Sequence, residues 1–160
     1  MITRRQATLY LPLPCAADIE RLRSTYNPAQ HALIRAHVTL CREDEARDWD
    51  ELANRLVALG PVAVPLAFGA PVRVENLVYL PATGSTAPFD QLRASLLGRP
   101  AASVRKQDPH ITLIHPRNGT CSDAAFASIV SQSTSFAVTF RTVTLIAQVD
   151  GDPWRDLLST

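Results

Sequence analysis

The segment RAHVTLCRED occupies residues 35–44, and DPHITLIHPR occupies residues 108–117. Each spells His, a β-branched residue, Thr and Leu. In an extended strand, side chains at i and i+2 share a face. His37 and Thr39 therefore point one way, while Val38 and Leu40 point the other way, into a core. His110 and Thr112 stand against Ile111 and Leu113 in the same manner. Each strand offers one imidazole and one hydroxyl on a polar face.

The likeness extends outward from these strands. LYLPLP at 9–14 resembles VYLPAT at 78–83, and each reads as an apolar strand ended by proline. A helical pattern follows each: Ile19, Leu22 and Tyr26 in the first, Phe89, Leu92 and Leu96 in the second, with Gly98 as a C-terminal stop. After the His strands, residues 48–59 and 122–132 read as helices, the latter capped by Ser122 or Asp123. Alternating strands close both copies, Val62 to Phe68 and Phe136 to Phe140. The offset between copies is nearly constant from Tyr10 to Tyr79, His37 to His110 and Phe68 to Phe140. A β-α-β-α-β unit is thus written twice, over approximately 7–74 and 76–149. Two copies are too few for a solenoid. They predict one α+β domain spanning 1–160, bilobal and pseudo-two-fold, with mainly antiparallel sheets flanking a central cleft.

Composition narrows the function. With 46% hydrophobic and 19% charged residues, the chain is of the ordinary globular kind and long enough to bury a core. A net charge of +1 gives no support for holding long duplexes through phosphate contacts alone. Lys106 is the only lysine, so the basic groups are nearly all arginine, which grips phosphate bidentately. Cys15, Cys41 and Cys121 are odd in number and fit no zinc spacing, which points to a reducing, cytoplasmic location. The apolar start is short and broken by Pro12 and Pro14, so it reads as a strand and not a signal peptide. No stretch is long enough to span a membrane.

Pseudo-symmetry brings the two polar faces together across the cleft. Two imidazoles on opposite sides of one atom act as base and acid in a single step. An in-line displacement at phosphorus has that geometry, with entering and leaving oxygens opposed. Thr39 and Thr112 would donate to the non-bridging oxygens, whose charge is held through the transition state. Neither metal nor cofactor is demanded.

HVTL and HITL, one in each half of a short α/β chain, resemble the paired His-x-Thr motifs of the 2H phosphoesterase superfamily, which includes 2′-5′ RNA ligase-like proteins and cyclic phosphodiesterases. The resemblance covers essentially the whole chain. It implies a bilobal fold, a metal-free site, and His37, Thr39, His110 and Thr112 in the cleft. It also implies substrates bearing a 2′,3′-cyclic phosphate or a 2′-5′ phosphodiester, with opening of the cycle leaving a 2′-phosphate. Members often carry Arg three residues after the motif Thr. Arg42 fits, but the second copy has His115, with Arg117 two positions beyond. His115, of opposite parity to His110 and before Pro116, either closes the strand or touches substrate.

Other residues carry open readings. The acidic run REDEARDWDE at 42–51 reads as a helix start and a solvated face. The stretch at 98–109 reads as a mobile loop whose Arg105 and Lys106 either reach a phosphate or stay solvated. Tyr10 and Tyr79 either stack a base or pack a strand end. Cys41 shares the His37 face by parity, or serves as a small buried filler.

The leading expectation is a phosphodiesterase opening the cyclic phosphate of a nucleotide or single-stranded RNA end. The alternatives are 2′-5′ RNA ligation and a module that binds RNA ends or nucleotides without turnover. No obligate protein partner is implied.

Overall fold

In the computed structural model, which describes residues 1–160, the two His-x-Thr segments lie side by side at the centre of one antiparallel sheet. The first copy supplies β1 (Thr3–Tyr10), α1 (Cys15–Tyr26), a short α2 (Pro28–Leu33), β2 (His37–Cys41), α3 (Trp49–Leu59), β3 (Val64–Phe68) and β4 (Val72–Val74). The second supplies β5 (Leu77–Thr83), α4 (Ala87–Leu97), β6 (His110–Ile114), α5 (Asp123–Gln132), β7 (Phe136–Phe140), β8 (Thr144–Val149) and β9 (Arg155–Ser159). The α+β class and the antiparallel pairing are as the sequence predicts.

Local chemistry explains the helix ends. Asp48 accepts from the Asp50 and Glu51 amides and starts α3. Ser122 accepts from the Ala125 amide and starts α5. Gly98 stops α4 with φ of 61°, a left-handed conformation that disfavours a side chain. The inner faces of these helices join Val38, Leu40, Ile111 and Leu113 in one contiguous apolar core.

The strand order is β7-β3-β5-β6-β2-β1-β8-β9, with β4 beside β5. The seam between β6 and β2 is its midpoint. About this seam β2 matches β6 and β1 matches β5, as the repeat requires. The outer strands do not follow the repeat. β3 and β7, equivalent in sequence, pair with each other, Phe68 opposite Phe136 and Val64 opposite Phe140. β3 therefore lies in the half of the sheet built mainly by the second copy, and β8 lies beside β1 in the other half. The halves of the sheet are not the halves of the sequence. Pro81 also lies inside β5, opposite His110, and does not end that strand.

A matched irregularity corrects the parity reading. Thr8 pairs with Thr39, but the next residue of β1, Ala7, pairs with Cys41. Tyr79 pairs with Thr112, but Val78 pairs with Ile114. Leu40 and Leu113 are therefore extra residues, one bulge in each motif strand at equivalent positions. Past each bulge the faces exchange. Cys41 and Ile114 turn into the core, fully buried. Arg42 and His115 return to the face of the motif histidines. Cys41 is thus a core residue and not a companion of His37, and the parity that set His115 apart from His110 does not hold.

Candidate active site

The two motif strands share a single registered pair, Val38 with Ile111. Continuing that antiparallel register sets His37 beside Thr112 and Thr39 beside His110. All four side chains line a cleft of about 500 Å³.

The two imidazoles are held in the same way. Nδ1 of His37 lies 2.8 Å from the Arg35 carbonyl, and Nδ1 of His110 lies 2.9 Å from the Asp108 carbonyl. A carbonyl only accepts, so each Nδ1 carries a proton and each Nε2 is left for chemistry. Each ring also meets a tyrosine edge-on, Tyr10 at 6.3 Å and Tyr79 at 5.5 Å between centroids. Burial, helped by the charges of Arg23 and His110 and opposed by the Arg35 carbonyl, pushes the His37 imidazole down to about 4. His37 is therefore neutral at pH 7.

Thr39 is held on both sides. Its Oγ1 accepts from Gln6 Nε2 at 3.1 Å, which directs its hydroxyl proton elsewhere. Its carbonyl accepts from Gln107 Nε2 at 2.6 Å. The next carbonyl, of Leu40, accepts from Arg93. Two side chains thus take up the edge of β2 where β6 splays away. They belong to a buried hub in which Arg93 also meets Glu45 at 2.6 Å, Gln107 at 3.2 Å and the Arg105 carbonyl at 2.8 Å. Glu45 in turn accepts from the Arg42 amide. The hub joins the segment after the first motif to the segment before the second.

This arrangement revises two readings. The acidic run is not simply a helix start and a solvated face: Glu45 is buried against Arg93, and Glu43 and Asp44 line the cleft. The stretch at 98–109 is not a free loop, since Gln107 is buried and Arg105 grips Asp44 at 3.1 and 3.2 Å. That grip holds the Asp44 carboxyl below its usual range.

The remaining sequence candidates divide between two pockets. Arg42, His115 and Arg117 line the 500 Å³ cleft. His115 Nδ1 accepts from the Arg117 amide, so its proton sits on Nε2; burial, then Arg117 and Arg4, lower its pKa. An adjoining pocket of about 810 Å³ is lined by Tyr79, Arg105 and Lys106, and it shares Arg42 and His110 with the cleft. Lys106 is 3.6 Å from Asp108 and exposed. Tyr10 lines neither. Arg35 covers one face of its ring at 3.8 Å and Asp156 accepts from its hydroxyl. Its pKa is pushed up to about 12, first by burial and then by Asp156.

Sequence reasoning missed several lining residues: Arg4, Arg5 and Gln6 on β1, Arg23 on α1, Gln30 on α2 and Trp154 before β9. The run RRQ at 4–6 was a signal once β1 was placed beside β2. Five arginines face two carboxylates here, and Glu43 is already 3.0 Å from Arg4. The cleft suits an anion. No group of three or more His, Cys, Asp or Glu is placed to hold a metal ion.

Two central strands each present His and Thr to one arginine-lined cleft. The family model of the 2′-5′ RNA ligase superfamily matches residues 11–152, and the chain belongs to that family. Solved structures share the fold. The chain is similar to E. coli LigT complexed with 3′-AMP, at 18% identity and a TM-score of 0.64, covering 99% of this chain and 96% of that one. E. coli LigT complexed with ATP matches at 16% identity and 0.63 over the same shares. TT0787 of Thermus thermophilus matches at 16% and 0.53, covering 98% and 96%. No curated protein matches. No helix is long and apolar enough to cross a membrane.

Proposed function

We propose that the chain is a phosphodiesterase that opens 2′,3′-cyclic phosphates of nucleotides or single-stranded RNA ends to 2′-phosphates. The observation that carries this reading is the matched anchoring of His37 and His110, each through Nδ1 to a carbonyl, on strands paired at Val38 and Ile111. Two free Nε2 atoms on one cleft suit the two proton transfers of an in-line displacement.

In this reaction water attacks phosphorus while His37 Nε2 takes its proton. The bond from phosphorus to O3′ breaks, and His110, entering protonated, gives its Nε2 proton to O3′. The product carries a 2′-phosphate and a free 3′-hydroxyl. Proton exchange with solvent resets both rings. Burial holds His37 neutral, which supports its role as the base. Thr39 and Thr112 donate to the non-bridging oxygens, and Arg42 and Arg117 offset their charge. No step calls for a metal or cofactor. LigT's solved complexes with ATP, 3′-AMP and phosphate support a nucleotide-like occupant. Three free cysteines support a reducing, cytoplasmic setting.

One observation favours a second reading. The cleft and its neighbour meet at Arg42 and His110, which suits a phosphodiester with a nucleoside on each side. That is the geometry of 2′-5′ cleavage or ligation, with a ribose hydroxyl in place of water. Chromatography of products from 2′,3′-cyclic nucleotides beside a 2′-5′-linked dinucleotide separates the two. Release of 2′-monophosphates from the cyclic substrates supports the first reading. Turnover of the dinucleotide alone replaces it with the second, and binding without turnover of either leaves a binding module.

A further inference from the structure

Two arginines are almost completely enclosed in this fold, Arg23 on α1 and Arg93 on α4, at 2% and 1% exposure. They occupy equivalent positions of the duplicated unit, one residue after Leu22 and Leu92. Their surroundings differ. Both Nη groups of Arg93 are engaged, by Glu45, Gln107 and two backbone carbonyls. Arg23 has one partner, Glu20, reached from Nη1 at 2.7 Å. The same Glu20 oxygen also accepts from the Ala36 amide at 2.7 Å, immediately before His37. The Nε–H of Arg23 is buried with no acceptor at all.

A buried N–H without a partner costs about 1–3 kcal/mol, more when the group is charged. Native proteins satisfy nearly all such groups, so an exception on a functional surface asks what completes it. Arg23 borders the 500 Å³ cleft beside His37 and Thr39. Its charge acts on the His37 ring, which places the two groups in one electrostatic field. Its partner Glu20 is already shared with Ala36, and its other oxygen lies 3.3 Å from His31. The cleft that Arg23 lines can supply a further acceptor, and a guanidinium fork matches phosphate oxygens in geometry and charge.

We propose that Arg23 is a phosphate-binding residue of the cleft, its guanidinium donating to a non-bridging oxygen of the bound phosphoryl group. The proposal rests on the phosphoester reading of the site but does not require turnover. It makes the duplicated arginine serve two ends: Arg93 holds the motif strand, and Arg23 completes the oxyanion pocket that Thr39 and Thr112 begin. The ligand class is any tetrahedral phosphate mono- or diester small enough to reach between the two histidines.

The test is binding of inorganic phosphate by calorimetry to wild type, Arg23→Lys and Arg23→Gln, with Arg21→Gln as a control. Arg21 is exposed on the same helix and pairs only with Asp18. Both Arg23 variants are expected to weaken phosphate binding roughly tenfold or more, and to lower kcat/KM by about 10²-fold, as for loss of one oxyanion donor. The control is expected to do neither. In wild-type protein, which needs no variant to fold, the Arg23 Nε–H proton resonance is expected to move on phosphate addition. An unmoved Nε–H signal, or phosphate affinity within twofold of wild type in both folded variants, overturns the proposal. If phosphate binds through Arg23 while no cyclic phosphate is opened, the proposed function fails and this inference stands.

Discussion

Val38 stands directly across from Ile111, and it is the only registered pair between the two motif strands. That pairing sets the spacing of the site. One residue to either side of it lie His37 and Thr39 on one strand, His110 and Thr112 on the other. Beyond it the strands part, and the side chains of Gln107 and Arg93 bond the Thr39 and Leu40 carbonyls. The cleft opens where the sheet stops pairing with itself.

Removing either imidazole is expected to be severe. His37→Ala and His110→Ala should each lower kcat by about 10²–10⁴-fold. The double variant should fall little further, because groups acting in one step are not additive. Steady-state rates on a cyclic nucleotide check this. Independent, multiplicative losses would contradict joint action.

The low pKa of His37 sets the direction of two pH effects. As a base, it stays deprotonated and competent well below the usual imidazole range of about 6.5, so the acid limb of kcat/KM governed by it should lie nearer 4. The same depression bears on stability. Between 6.5 and about 4 the unfolded chain holds a proton on this ring that the folded chain rejects. The contribution of His37 is thus full above 6.5 and is lost as pH falls toward 4, by roughly 3 kcal/mol. Urea midpoints across that range should flatten in His37→Gln. An equally steep decline in the variant would assign the effect to other groups.

The hub around Arg93 predicts a stability effect and a positioning effect that separate. Glu45→Ala leaves a buried guanidinium without its carboxylate and should cost about 3–5 kcal/mol by denaturant unfolding. Gln107→Ala should cost less stability, but it releases the Thr39 carbonyl. Its expected signature is a fall in kcat with KM nearly unchanged. A rise in KM alone would mean that Gln107 serves binding instead.

Thiol chemistry tests the bulge. Cys41, turned into the core past Leu40, has its thiol pushed up to about 12, chiefly by burial. Cys121 is also buried, and Cys15 is partly exposed. A thiol reagent should modify Cys15 in native protein and reach Cys41 only on unfolding. Rapid native modification of Cys41 would place it on the cleft face, as simple alternation would have it.

Much of this was legible in the sequence, for identifiable reasons. Period-two alternation and a second copy of the same words place His37, Thr39, His110 and Thr112 on one surface without coordinates. The bulges were not legible, because Leu40 and Leu113 are as apolar as their neighbours and only the partner strand reveals an extra residue. His115 therefore looked out of phase with the motif. The pairing of β3 with β7 was hidden by their own resemblance, since a repeat says which strands are alike and not which are adjacent. Strands β8 and β9 and helix α2 carry weaker patterns and went unread. Arg23 was missed because its helix reads as core, and a charged residue among Ile19 and Leu22 gives no sign of what it faces.

The proposed reaction stands or falls on joint acid–base work by His37 and His110 on one phosphorus. The most direct measurement is turnover of the four 2′,3′-cyclic mononucleotides in EDTA, products resolved as 2′- or 3′-phosphate, by wild type, His37→Ala and His110→Ala. EDTA-resistant release of the 2′-phosphate by wild type, and its loss in both variants, is the expected result. Wild-type-like opening in either folded variant would contradict it.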